Sequence, residues 1–100
     1  MISRIVLFKL KESTESGDKA TSLLQMKAML EGMKSTIKEI RALEVGLNFG
    51  KSEAHFDLAL RVDFDSEEEL RAYTIHPDHL KVIEFVNTIK EDRVLVDYQI

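Results

Sequence analysis

Cysteine and tryptophan are absent from this 100-residue chain, and proline occurs once. Without thiols there is no disulfide, no thiolate metal site and no cysteine nucleophile, although the compartment is not fixed by that alone. Glycine is scarce too, with four residues, so collagen-like and low-complexity architectures are excluded. No stretch approaches the ~18 apolar residues that a membrane-spanning helix requires. The apolar start, Ile2 to Leu10, is broken by Arg4 and Lys9 and has no small-residue cleavage pattern after it. No signal peptide is expected, and the reading is a soluble cytoplasmic protein. Positive charge is in deficit: 14 bases and 18 acids interleave to a net charge of −4. No basic stripe is therefore available for the counterion release that drives nucleic-acid binding. Phosphate loops, nucleophile elbows and zinc signatures are missing as well. Neither a metal nor a cofactor is expected.

What remains is an ordinary balance of 44% hydrophobic and 32% charged residues, which suits one folded domain spanning 1–100. A chain of this length buries roughly 65% of its unfolded surface, enough for one modest core.

Residues 2 to 10 are rich in Ile, Val, Leu and Phe and predict a first strand. The polar stretch Glu12 to Asp18, with Gly17, breaks it. Leu23, Met26, Leu30, Met33 and Ile37 then recur at spacings of three and four, with Ala20 and Leu24 widening the face, which predicts a helix over about 17 to 34. Its methionines, Met26, Met29 and Met33, suit gap-filling in a core better than an adaptable binding wall. From Ile37 to Phe49 the alternation of Leu43, Val45, Leu47 and Phe49 with smaller or polar residues predicts a strand, weakened at Gly46. A turn at Gly50 to Glu53 leads to another strand, where Phe56, Leu58, Leu60, Val62 and Phe64 occupy every even position. One face of that strand packs against helices and the other carries His55, Asp57, Ala59, Arg61 and Asp63.

Asp65 is placed to cap the next helix, with Glu68 reaching back, so the acids at 67–69 are helix-start chemistry rather than a metal site. Pro77 disfavours helical geometry at His76 and fits the first position of a further helix. That helix carries His79, Val82, Ile83 and Val86 on one face, and Arg93 to Ile100 closes the chain as a strand.

The resulting β-α-β-β-α-β order predicts an α+β, ferredoxin-like fold: a four-stranded antiparallel sheet with helices on one face. The other face would expose Ile5 and Leu7, joined by Leu95 from the last strand. Apolar area of that kind marks an interface, and a second copy stacked sheet to sheet would cover it, which predicts a homodimer. His55, Asp57 and Arg61 would project into the same seam, with Asp57 and Arg61 in an interface ion network.

The candidate site is Tyr73-Thr-Ile-His-Pro-Asp-His79, which gathers a phenol and two imidazoles around the only proline. Imidazole exchanges protons near neutral pH, and a phenol can orient a carbonyl or stabilise negative charge on it. A buried Tyr73 hydroxyl also needs a partner, and His79 lies within reach across the break. His76 is best explained as a cap beside Pro77. Arg4, on the helix-facing side of an apolar strand, either snorkels at the sheet end or fixes an anionic ligand at a pocket mouth.

Ile5-Val-Leu-Phe-Lys9, Gly46-Leu-Asn48, Phe64-Asp-Ser-Glu-Glu68, Tyr73 to His79 and Val96-Asp-Tyr98, in this order, resemble the stress-responsive α/β-barrel (Dabb) domain family. The resemblance covers nearly the whole chain and implies a subunit that pairs into a dimeric α/β barrel. One plant branch of the family looks like polyketide cyclases that close a ring by aldol condensation, and its paired catalytic tyrosine and histidine fall on Tyr73 and His79. In that picture His79 removes a proton alpha to a ketone while Tyr73 hydrogen-bonds a carbonyl. Two further cyclase histidines align with Arg4 and Leu58, so the polar lining differs. The expectation is a pocket between helices and sheet that takes a small hydrophobic carbonyl compound, with Tyr73 and His79 catalytic and Arg4, Leu58 and His76 contacting substrate. The alternative is a non-catalytic dimer with a stress or structural role.

Overall fold

The computed structural model describes residues 1–100. Its elements are strand β1 (Ile2–Leu10), the two-residue strands β2 (Ser13–Thr14) and β3 (Gly17–Asp18), helix α1 (Lys19–Thr36), strands β4 (Ala42–Leu47) and β5 (Leu58–Phe64), helices α2 (Glu67–Thr74) and α3 (Pro77–Ile89), and strand β6 (Lys90–Gln99). The main sheet runs in the order β4-β5-β1-β6, and every neighbouring pair is antiparallel. β1 and β4 are thus parallel with β5 inserted between them, which is the split βαβ arrangement expected from the sequence. No helix is long and apolar enough to cross a membrane.

The period of two in β1 and β5 sets the layers. Ile2, Val6, Phe8 and Leu10 meet Leu58, Leu60, Val62 and Phe64 on the covered face, where all eight are buried. Met26, Leu30, Met33 and Ile37 from α1, and Val82, Val86 and Ile89 from α3, close over them to form one cluster. The methionines at 26 and 33 are therefore core. Ala20 and Leu24 are exposed instead of widening the apolar face, Leu24 at 65%.

Several boundaries differ from the sequence reading. α1 starts at Lys19 because Asp18 is its N-cap, accepting a hydrogen bond from the Thr21 N–H at 2.9 Å. The preceding residues fold back as the β2–β3 ladder, whose return requires Gly17 at φ +122°. Residues 37–41 are not strand: Ile37 and Ile40 plug the core while the chain turns toward β4. α2 is capped by Ser66, not Asp65; the Ser66 hydroxyl accepts from the Glu69 N–H, and Asp65 pairs with Arg41 at 2.7 Å.

The open face also differs from the one the alternation predicts. β6 aligns Leu95 with Val6 and sets Val94 and Val96 opposite Leu7 and Ile5. Leu95 therefore lies on the helix side, and the apolar strip of the open face comprises the exposed Leu7, Val94, Val96 and Tyr98 with the half-buried Ile5. His55 and Asp57 precede β5 rather than alternating along it. His55 is held in the 50–57 loop by Ser52 at 2.7 Å, and Asp57 accepts from the Leu10 N–H and pairs with Lys19. Arg61 pairs with Asp63, its neighbour on the same face, and not with Asp57.

Candidate functional site

β6 is an edge strand and is exposed along nearly its whole length. A cavity of about 110 Å³ opens beneath α3 on that side. Its apolar wall comes from Val6, Phe8, Leu60, Val82 and Val86, and its polar rim from Arg4, Tyr73, Thr74, His79, Lys90 and Arg93.

The break between α2 and α3 brings Tyr73 and His79 together. Ile75 ends α2, and His76 caps α3 by accepting the Asp78 N–H on Nδ1 at 3.0 Å, with Pro77 as the first helical residue. At the end of α2 the Arg71 and Tyr73 carbonyls accept from the Ile75 and His76 N–H groups, and the Thr74 carbonyl is left for a side chain. His79 reaches back across the break and binds the Thr74 carbonyl through Nδ1 at 2.9 Å. A carbonyl only accepts, so Nδ1 carries the hydrogen and the Nε2 lone pair is the free basic site of the ring.

The His79 ring lies over Tyr73 with centroids 4.2 Å apart and planes at 32°, and Tyr73 in turn packs on Phe64 at 5.0 Å and 51°. Tyr73 and His79 are thus neighbours by stacking, not partners in a hydrogen bond. Burial pushes the Tyr73 hydroxyl up to about 12, against the opposing pull of Arg4 and Arg93, so it stays a protonated donor at neutral pH. Burial lowers the His79 imidazole from its ordinary 6.5, a shift opposed by the Thr74 hydrogen bond and reinforced by Arg4, Arg93 and His76. His79 is accordingly neutral at pH 7 and able to accept a proton.

Arg4 lines the cavity and is held by Asp97 across the β1–β6 ladder, with two hydrogen bonds of 2.7 and 3.0 Å. That pairing holds the Asp97 carboxyl below its usual range. Leu58 and His76, the other two residues expected to contact substrate, lie elsewhere. Leu58 is 2% exposed in the packed core at the Phe8 end of the ladder, outside the cavity lining. The His76 ring is spent on capping α3 and does not line the cavity either. Sequence reasoning missed Lys90, Arg93 and Asp97. Arg93, Leu95 and Asp97 alternate along β6, but the register that turns them toward α3 follows a shift of pairing at Lys9 and Leu10, which no local pattern announces.

A pH dependence of stability follows from His79. Its folded-state pKa is depressed, so on acidification the unfolded chain binds the proton first. Stability is expected to fall as the pH drops from neutral through 6.5 toward the lowered folded value, beyond which this contribution levels off. Urea unfolding of the parent and of His79→Gln across that range should show the slope lost in the variant. An equal slope in both would refute the buried neutral imidazole.

The family model described as Stress Responsive A/B Barrel Domain (Dabb) matches residues 2–100. A curated relative, the stress-response A/B barrel domain-containing protein DABB1 of Arabidopsis thaliana, is 28% identical over 98% of this chain. This chain spans 46% of that relative's length. A dimeric protein of unknown function with a ferredoxin-like fold from Bacteroides fragilis superposes with a TM-score of 0.87 at 32% identity, covering 99% of this chain and 95% of its own. A hydroxynitrile lyase from Passiflora edulis superposes with a TM-score of 0.81 at 19% identity, covering 99% and 92% of the two chains, which is a likeness of fold.

Proposed function

The chain belongs to the stress-responsive A/B barrel domain family, and from that premise we propose that it forms a homodimeric barrel that binds a small hydrophobic carbonyl compound beneath α3 and transfers a proton there without a cofactor. The observation that carries this reading is a neutral imidazole with a free Nε2, stacked on a protonated phenol at the rim of an apolar cavity. An apolar cavity of ~150 Å³ takes up benzene, so the space here suits a short aliphatic or small cyclic body.

In the proposed step His79 Nε2 takes the proton from the carbon alpha to the carbonyl. The electron pair of that C–H bond moves onto the carbonyl oxygen as an enolate, and the Tyr73 hydroxyl donates a hydrogen bond to it. The Thr74 carbonyl keeps accepting from Nδ1–H and so fixes the ring as the imidazolium forms. Reprotonation at the same carbon gives exchange, reprotonation at the far end of a conjugated dienolate gives isomerisation, and attack of the enolate on a second carbonyl of the same molecule, whose oxygen then takes the proton from the imidazolium, gives ring closure. That the same fold carries a hydroxynitrile lyase in Passiflora edulis supports a catalytic role for an architecture of this kind. The direct test is proton-for-deuterium exchange alpha to the carbonyl of methyl isobutyl ketone, followed by NMR. An exchange rate equal to that of buffer, with no resonance of Tyr73 or His79 moved by the ketone, would sink the reading.

The dimer rests on the exposed strip of the sheet, where Val94 and Val96 are 47% and 53% exposed, and on the dimeric state of the Bacteroides relative. Sedimentation at micromolar concentration is expected to give a species of twice the 11.5 kDa chain mass, and Val96→Lys a monomer. A parent that sediments only as 11.5 kDa would remove the dimer. The same strip also supports a second reading, a non-catalytic dimer with a stress or structural role, which predicts pairing without ketone exchange.

A further inference from the structure

The charge on the cavity rim is one-sided. Arg4, Lys90 and Arg93 are part of the lining, and no aspartate or glutamate is. This happens in a protein whose net charge is −4, so composition alone does not account for it. Arg4 is neutralised by Asp97. Lys90 and Arg93 take part in no ion pair, and both stand on β6, the uncovered strand that forms the cavity mouth. Arg93 is opposite Phe8 and Asp97 opposite Arg4, so the two arginines stand at the two ends of a ladder segment of ~13 Å at ordinary strand rise. Both arginines act electrostatically on both rings.

Deeper in, the wall is aliphatic, with Leu30, Leu60, Val82 and Val86. An occupant that satisfies this lining combines an apolar body and a carbonyl with a single anionic group. Resting on the reading of this cavity as a carbonyl-binding site, we infer that its ligand is a small keto acid: the alkyl body lies on the aliphatic wall, the ketone at Tyr73 and His79, and the carboxylate at Arg93 and Lys90. Two cations at the mouth of a low-dielectric cavity favour a carboxylate over its neutral analogue by charge-assisted hydrogen bonds, which are shorter and stronger than neutral ones.

The test uses a matched pair, α-ketoisocaproate and methyl isobutyl ketone, which differ in a carboxylate for a methyl group. Affinities are read by NMR titration of the parent and of an Arg93→Gln, Lys90→Gln variant whose fold is checked by its unfolding midpoint. The parent is expected to bind the keto acid about tenfold more tightly than the ketone or better, as hydrogen bonds to charged groups imply. That preference should weaken with added salt and fall toward equality in the variant. Equal affinities in the parent, or a preference unchanged in the variant, would overturn the carboxylate subsite while leaving ketone binding intact. Displacement of the keto acid by an equal concentration of inorganic phosphate would overturn the role given to the alkyl body. If neither compound moves a cavity resonance, the carbonyl-site reading fails and this inference with it.

Discussion

His79→Gln is expected to lower the rate of alpha-proton exchange by about 100- to 10,000-fold, the range over which a positioned general base contributes. Glutamine can still donate to the Thr74 carbonyl that His79 Nδ1 now holds at 2.9 Å, so the junction between α2 and α3 should persist while the lone pair of Nε2 is lost. Tyr73→Phe removes only the hydroxyl. The ring keeps its contacts with Phe64 and His79, and the expected loss is about 100- to 1,000-fold, as for one donor to a developing oxyanion. The informative comparison is rate against stability. A catalytic pair loses rate in both variants with the urea midpoint of Tyr73→Phe nearly unmoved. If both variants exchange the ketone at the parent's rate, His79 and Tyr73 are structural and the non-catalytic reading gains.

Phe64→Ala should cost about 3–5 kcal/mol, the usual loss for emptying an aromatic site in a core. Phe64 is fully buried at the end of β5, pairs with Ile2 across the ladder and supports the ring of Tyr73. Against a total stability of about 5–15 kcal/mol for a domain, such a loss approaches unfolding at ambient temperature. Urea denaturation should show a much lower midpoint with an unchanged slope. Phe64→Leu, which keeps most of the volume, should cost far less and still loosen Tyr73, so ketone affinity would fall further than stability does. A loss below about 1 kcal/mol for Phe64→Ala would contradict a close-packed site at Phe64, since core truncations ordinarily exceed it.

Both predictions join the core to the site through one aromatic row, Phe64, Tyr73 and His79. The alternation that puts Phe64 on the inner face of β5 is plain in the sequence, and so is the break at Pro77 that returns His79 toward Tyr73. Their roles relative to each other are not. Their spacing across the break predicts a hydrogen bond between the two side chains, but in the stacked geometry the imidazole hydrogen goes to the backbone carbonyl of Thr74 instead. Leu58 illustrates the opposite error. Its even position correctly assigns it to the helix side, yet its depth along β5 puts it in packed core beyond the cavity. Face follows from a period of two, whereas distance from a pocket depends on where the helices cross.

Element order, the inner faces of β1 and β5, and the family are all legible without a structure, because strand periodicity, the α1 apolar face and the Tyr73 to His79 segment are local patterns that survive without knowledge of their neighbours. The cavity lining depends instead on long-range pairing. The pairing of β6 with β1 fixes which alternate set of that strand turns inward, and a shift of one residue would have sent Arg93, Leu95 and Asp97 to the open face instead. That register is a long-range property, set by residues some ninety positions apart on the chain closing one ladder. A local segment therefore reveals Tyr73 and His79, whereas the cations that line the cavity beside them depend on a pairing no local segment contains.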